Sequence, residues 1–169
     1  MSNLQASIRI LGPQFPGPDV LTHRLNKLFR CNLNLIRFIS LFSAAIDLES
    51  KSFEYCNAGH HPPIWWRASS QSFQWLNPGG PAIGLTLEPE YKKERLQFGS
   101  GDIFVLYTDG LVEARNGVDN EFGEKRLMDY VAEHRDDSPD ALLNGLFENG
   151  EAFAGSFHDD VTLMVLKVK

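Results

Sequence analysis

A chain of 169 residues has the length of a single domain and can bury a sizeable core. Its composition, 43% apolar and 22% charged, is that of an ordinary globular protein. The net charge of −6, with no Lys/Arg cluster, argues against nucleic acid or an anionic membrane as the main partner. No apolar run approaches the length of a membrane span, and Met1-Ser2-Asn3 opens no signal peptide, so a cytoplasmic protein is expected. Cys31 and Cys56 lie far apart, form no metal-type pair, and read as small hydrophobes in a reducing compartment.

In chain order, Leu4, Ile8 and Leu11 carry a helical spacing that Gly12, Pro13, Pro16, Gly17 and Pro18 end. A helix follows, with Asp19 near its start and Val20, Leu21, Leu25, Leu28 and Phe29 as one apolar stripe. Asn26 beside that stripe reads as a solvated amide. From Leu35 to Asp47 hardly a polar position remains, which predicts a strand covered on both faces. Glu49 to Ser52 is a turn, and Phe53-Glu54-Tyr55 returns as the second strand of a hairpin.

Cys56-Asn57-Ala58-Gly59-His60-His61-Pro62-Pro63 is a stiff irregular loop. Adjacent histidines point to opposite faces of a strand and make a poor metal pair, so His60 is read as structural before it is read as a ligand. Ile64–Arg67 and Ser72–Leu76 form a second hairpin around residues 68–71. The glycine-rich segment 77–84 lacks the lysine and helix start of a phosphate-cradling loop. Tyr91–Phe98 is expected as a strand with a charged outer face.

The central stretch is Gly101-Asp102 followed by Ile103 to Tyr107, the pattern of a strand buried on both faces, and then Thr108-Asp109-Gly110. A helix is predicted from Gly123 to His134, and another after Ser138-Pro139, an N-cap serine with proline in the first turn. His158-Asp159-Asp160 opens a last core strand, Val161–Leu166. No internal repeat or linker is visible. Strands, then helices, then a strand predict an α+β fold, antiparallel hairpins with helices outside, in one domain over 1–169.

Two strands are thus each joined to acids at one end. Asp-Gly alone is the commonest hairpin signal, and Asp159 and Asp160 alone can cap a turn. If the two strands are neighbours, however, their carboxylates converge, and a cation is the natural partner for converging carboxylates. With no Cys/His set nearby, hard oxygen-seeking ions fit best, Mg²⁺ or Mn²⁺. The carboxylates are then expected within about 8 Å of each other, the scale of a two-metal site.

Cys56–Pro63, Gly101-Asp102 with Tyr107-Thr-Asp-Gly-Leu-Val-Glu-Ala-Arg-Asn116, and Asp159-Asp-Val-Thr162 resemble, in order and spacing, the sporulation stage II protein E-like branch of PPM-type metal-dependent serine/threonine phosphatases. The resemblance implies an α-β-β-α sandwich with a binuclear Mn²⁺/Mg²⁺ site that hydrolyses phosphoserine or phosphothreonine directly by metal-activated water. It makes Asp109 and Asp159 the metal-ligating, catalytic acids, and places Asp160 and Gly110 behind them. It also implies a phosphoprotein substrate of the anti-sigma-factor antagonist type and an upstream receiver or sensor module.

The family's other hallmark, Gly-Asp-x-x-Gly-His-Gly, occurs nowhere in the sequence. The chain is therefore expected to be an N-terminally truncated form, a piece of a larger protein or a short product that has lost part of the site. As such it is a weak or inactive enzyme. The competing expectation is a catalytically silent module that still binds such a partner. Missing strands would leave a sheet edge uncovered, so a homodimer is expected.

Overall fold

The computed structural model describes residues 2–14, 17–32, 38–77 and 79–169. They group into two units, Met1–His60 with Asn77–Phe98 and His61–Leu76 with Gly99–Lys169. The helices are α1 (Ser2–Leu11), α2 (Pro18–Asn32), α3 (Asp109–Val112), α4 (Gly123–Glu133) and α5 (Pro139–Ala154). The strands are β1 (Leu41–Asp47), β2 (Ser52–Ala58), β3 (Ile64–Arg67), β4 (Ser72–Trp75), β5 (Glu94–Gln97), β6 (Ile103–Tyr107) and β7 (Leu163–Lys167).

In the first unit, α2 begins where Pro18 loses no hydrogen bond and Asp19 meets the positive end of the helix dipole. Leu25 is wholly buried, while Val20 and Leu28, expected on the same stripe, are exposed. Thr22 and Asn26 take inward positions instead, because each finds a partner there. The Thr22 hydroxyl donates to the Pro18 carbonyl at 2.6 Å, and Asn26 Oδ1 accepts the Gly84 N–H at 2.7 Å. Asn26 is therefore a buried clasp on the glycine-rich loop, not a solvated amide.

The sheet of this unit runs β1-β2-β5, all antiparallel. β2 is central and buried, and Cys56, Ala58 and Leu25 form its core with Ile83 and Tyr91. Burial pushes the Cys56 thiol up, as befits a small hydrophobe. The side chain of Cys31 lies outside the described residues. The strand expected from Leu35 and covered on both faces is corrected: residues 35–37 lie outside the described residues, β1 starts at Leu41, and Ala44–Asp47 are exposed. Among the described residues β1 is an edge strand with one neighbour, and apolar composition alone does not reveal that. β5 is also shorter than the expected 91–98.

The second unit carries the sheet β4-β3-β6-β7, again antiparallel throughout. The β3–β4 hairpin and β6 fall where the sequence puts them. Ile64, Trp66, Ile103, Val105 and Tyr107 bury one face against Leu111, Leu127, Val131, Leu142 and Leu146 of the helices. Each such side chain contributes about 1.5–3 kcal/mol by leaving water. On the other face, Trp65 and Phe104 stack at 5.5 Å with planes 7° apart. At the N-terminus of α5, Ser138 Oγ accepts the Ala141 N–H at 3.2 Å, the expected cap. β7, expected as a core strand, is half-buried with Met164 exposed, because it forms the outer edge beside β6. No helix among the described residues is long and apolar enough to cross a membrane.

Candidate metal centre

β6 and β7 are adjacent and antiparallel, with Tyr107 opposite Leu163, so the chain leaving β6 runs beside the chain entering β7. Thr108 joins them. Its N–H donates to the Thr162 carbonyl at 3.1 Å. Its hydroxyl accepts the Thr162 N–H at 2.9 Å and donates to the Asp160 carbonyl at 3.0 Å.

Asp109 then opens the short helix α3. Apolar Leu111 and Val112, both buried, draw the chain inward and wind that single turn. Gly110 is buried, and a Cβ on it would lie 2.7 Å from the Asp160 carbonyl oxygen and 3.4 Å from the Asp159 carbonyl carbon. Only glycine lets these two backbones meet. Asp109 and Asp159 therefore grow from segments in direct contact at one end of the β6–β7 pair.

Both carboxylates are exposed. Asp109 Oδ1 accepts the Gly110 N–H at 3.1 Å, and Asp159 Oδ1 accepts the Asp160 N–H at 2.7 Å. These local bonds fix one oxygen of each and leave the others facing water. Asp160 contributes its carbonyl to Thr108, while its carboxylate is exposed. His60 sits in a loop turned by Asn57, whose Oδ1 accepts the His60 N–H at 2.9 Å. Among the described residues no three His, Cys, Asp or Glu side chains gather as a metal-holding group. Two exposed carboxylates and surrounding water fit a hard divalent cation that keeps most of its hydration.

One cluster at this end joins His61 and Tyr107, both in the motifs that carry the resemblance, to Glu124, which the sequence did not single out. The His61 ring stands 5.1 Å from the Tyr107 ring, and its Nε2 lies 3.5 Å from Glu124 Oε1, in the first turn of α4. Burial and then the Glu124 charge push the Tyr107 phenol up. Asp102, which opens the central stretch at the other end of β6, is a buried acid. Asp102 accepts from Trp65 Nε1 at 3.2 Å, from Ala68 N–H at 2.9 Å and from Gly99 N–H at 2.9 Å.

The family described as stage II sporulation protein E (SpoIIE) matches residues 1–169. Phosphoserine phosphatase RsbU of Bacillus subtilis (strain 168) is 28% identical over 154 residues, 90% of this chain and 45% of that protein. The chain thus spans less than half the length of that relative. Among solved structures, the SiaA-PP2C domain of Pseudomonas aeruginosa superposes with a TM-score of 0.82 at 18% identity, over 98% of this chain and 65% of that one. The RsbU and RsbW domains of Rv1364c from Mycobacterium tuberculosis give 0.79 at 25% identity, over 98% and 46%. The fold is that of PP2C domains, as the resemblance implied, and its class is α+β, as the strand and helix order predicted.

Proposed function

The chain belongs to the SpoIIE family, and from that premise we propose that residues 1–169 form one phosphatase domain of the metal-dependent PPM type, acting on a phosphoserine regulatory protein. The observation that supports this reading is the approach of Gly110 to the Asp159-Asp160 backbone, where the chain leaving β6 runs beside the chain entering β7. The substrate proposed is of the anti-sigma-factor antagonist type. The name of RsbU, a phosphoserine phosphatase, supports the phosphoserine part, and the anti-sigma part is carried over from the family resemblance. A receiver or sensor module upstream and a cytoplasmic location complete the proposal.

Asp109 and Asp159 would hold the cation, Mn²⁺ or Mg²⁺, with Asp160 and Gly110 behind them. When bound, the ion supplies Lewis-acid charge at the phosphate and lowers the pKa of water for attack. The chain's own residues orient and admit. Thr108 locks the two acid-bearing segments, Gly110 keeps them close, and the exposed position of both acids leaves the phosphoserine of a protein free to approach. Two carboxylates are few charged oxygens for a cation that dehydrates reluctantly, so turnover is expected to be slow. The same small donor set favours a second reading, a catalytically silent module that binds the phosphoprotein.

Phosphate release from a phosphorylated anti-sigma-factor antagonist, measured with and without Mn²⁺, tests the proposal. Slow release that needs Mn²⁺ and disappears in Asp109→Asn is expected. Binding of the phosphoprotein without release establishes the silent module instead. Release indifferent to both chelator and Asp109→Asn overturns the site.

A further inference from the structure

We propose that His61, Tyr107 and Glu124 form a positioning cluster that fixes the turn carrying Asp109, with the Glu124 carboxylate as the acceptor shared by the Tyr107 hydroxyl and His61 Nε2–H. The proposal rests on the reading of Asp109 and Asp159 as the cation-holding pair. Tyr107, the last residue of β6, is 1% exposed, and its hydroxyl is buried with no hydrogen-bond partner among the described residues. A buried polar group left unpaired costs about 1–3 kcal/mol, so a native partner must lie within a small movement of it.

Two side chains stand close by. The His61 ring is tilted 59° to the Tyr107 ring at 5.1 Å, and His61 Nε2 is 3.5 Å from Glu124 Oε1. That distance is long for a hydrogen bond and short enough for a slight rotation to close. The chemistry is complementary, since a phenol O–H and an imidazole N–H bring donors and a carboxylate accepts at several lone pairs. Glu124 also suits its place, because an acid in the first turn of α4 is favoured by the helix dipole.

The cluster joins three elements: the loop before β3, the end of β6, and the start of α4. The antiparallel register of β3 with β6, Ile64 opposite Val105, is what brings residue 61 to the Tyr107 end. From Tyr107 only Thr108 intervenes before Asp109, and Thr108 is the residue bonded to Asp160 and Thr162. A ring held at both its face and its hydroxyl keeps that strand end, and so the Asp109 carboxylate, in one place. The three residues therefore act through the turn and do not touch the ion.

Mn²⁺ titration of the 169-residue chain, followed by electron paramagnetic resonance of the free ion, tests this, with thermal melting of the same samples. The unaltered chain binds Mn²⁺ and Asp109→Asn abolishes binding. Tyr107→Phe and Glu124→Ala each weaken affinity about 10-fold, the scale of a lost support behind metal ligands. Glu124→Gln, whose amide oxygen still accepts, recovers most of the loss. Asp129→Asn, on the outer face of α4 where it pairs with Lys125, changes nothing. Lowered melting temperatures with unchanged Mn²⁺ affinity in both Tyr107→Phe and Glu124→Ala overturn the cluster alone. No Mn²⁺ uptake by the unaltered chain overturns the acid pair and the cluster together.

Discussion

Asp102 and Asp109 flank opposite ends of β6, and the backbone treats them in opposite ways. Asp102 is 4% exposed and its two oxygens are filled by one indole and two amide N–H donors. Asp109 is exposed, and a single local amide leaves most of its lone pairs in water. Burial and donor count thus separate a structural acid from one available to a ligand. In Asp102→Asn the new NH₂ must face either the Ala68 amide or the Trp65 and Gly99 donors, so one donor group loses its acceptor. Urea unfolding should show a loss of about 2–3 kcal/mol, with Mn²⁺ uptake by the folded protein unchanged. A change inside about 0.5 kcal/mol, the range of an ordinary surface substitution, would contradict this account of Asp102.

Elements built from local signals were legible: β6 from its unbroken apolar run, β3 and β4 from strands around a turn, α5 from Ser138-Pro139. What was not legible depends on partners distant in sequence. The apolar residues of β1 gave no sign that one neighbour is missing, since burial is set by sheet order. Asn26 looked solvated because its partner, the Gly84 amide, comes from another element. The proposed acid pair could be read from the sequence because an acid marks an end of each of two strands, whereas the proposed cluster of His61, Tyr107 and Glu124 follows no repeat. Gly110 was placed behind the acids by resemblance, and the structure supplies a physical reason. Gly110→Ala puts a methyl group against the Asp160 carbonyl, which is backbone and has to move. The two acid-bearing segments then part, and Mn²⁺ affinity should fall at least about 10-fold. Unaltered affinity in a folded Gly110→Ala protein would mean that the close approach has no bearing on the site.

For the whole molecule, the decisive feature is which sheet edges are protected. Four strands are edges among the described residues: β1 and β5 of one sheet, β4 and β7 of the other. β5 carries Glu94 and Arg95, β4 alternates Ser72 and Gln74 outward, and β7 is capped by Lys167. β1 reads Leu-Phe-Ser-Ala-Ala-Ile from Leu41 to Ile46 before its one charge, Asp47 at the strand end; Ile46 is 47% exposed, and Phe38 and Leu48 on either side are 64% and 78% exposed. An edge whose only charge stands at its last residue, with apolar neighbours, is a template for another strand, and a second copy about a two-fold axis offers the same surface in antiparallel sense. The chain is therefore expected to dimerise through β1. Light scattering at micromolar concentration should give about twice 19.0 kDa, with a melting temperature that rises with protein concentration. Ala45→Lys, a charge placed on the exposed edge, should return the monomer while Mn²⁺ uptake persists. A monodisperse particle of 19.0 kDa, melting cooperatively at a temperature independent of concentration, rules the dimer out.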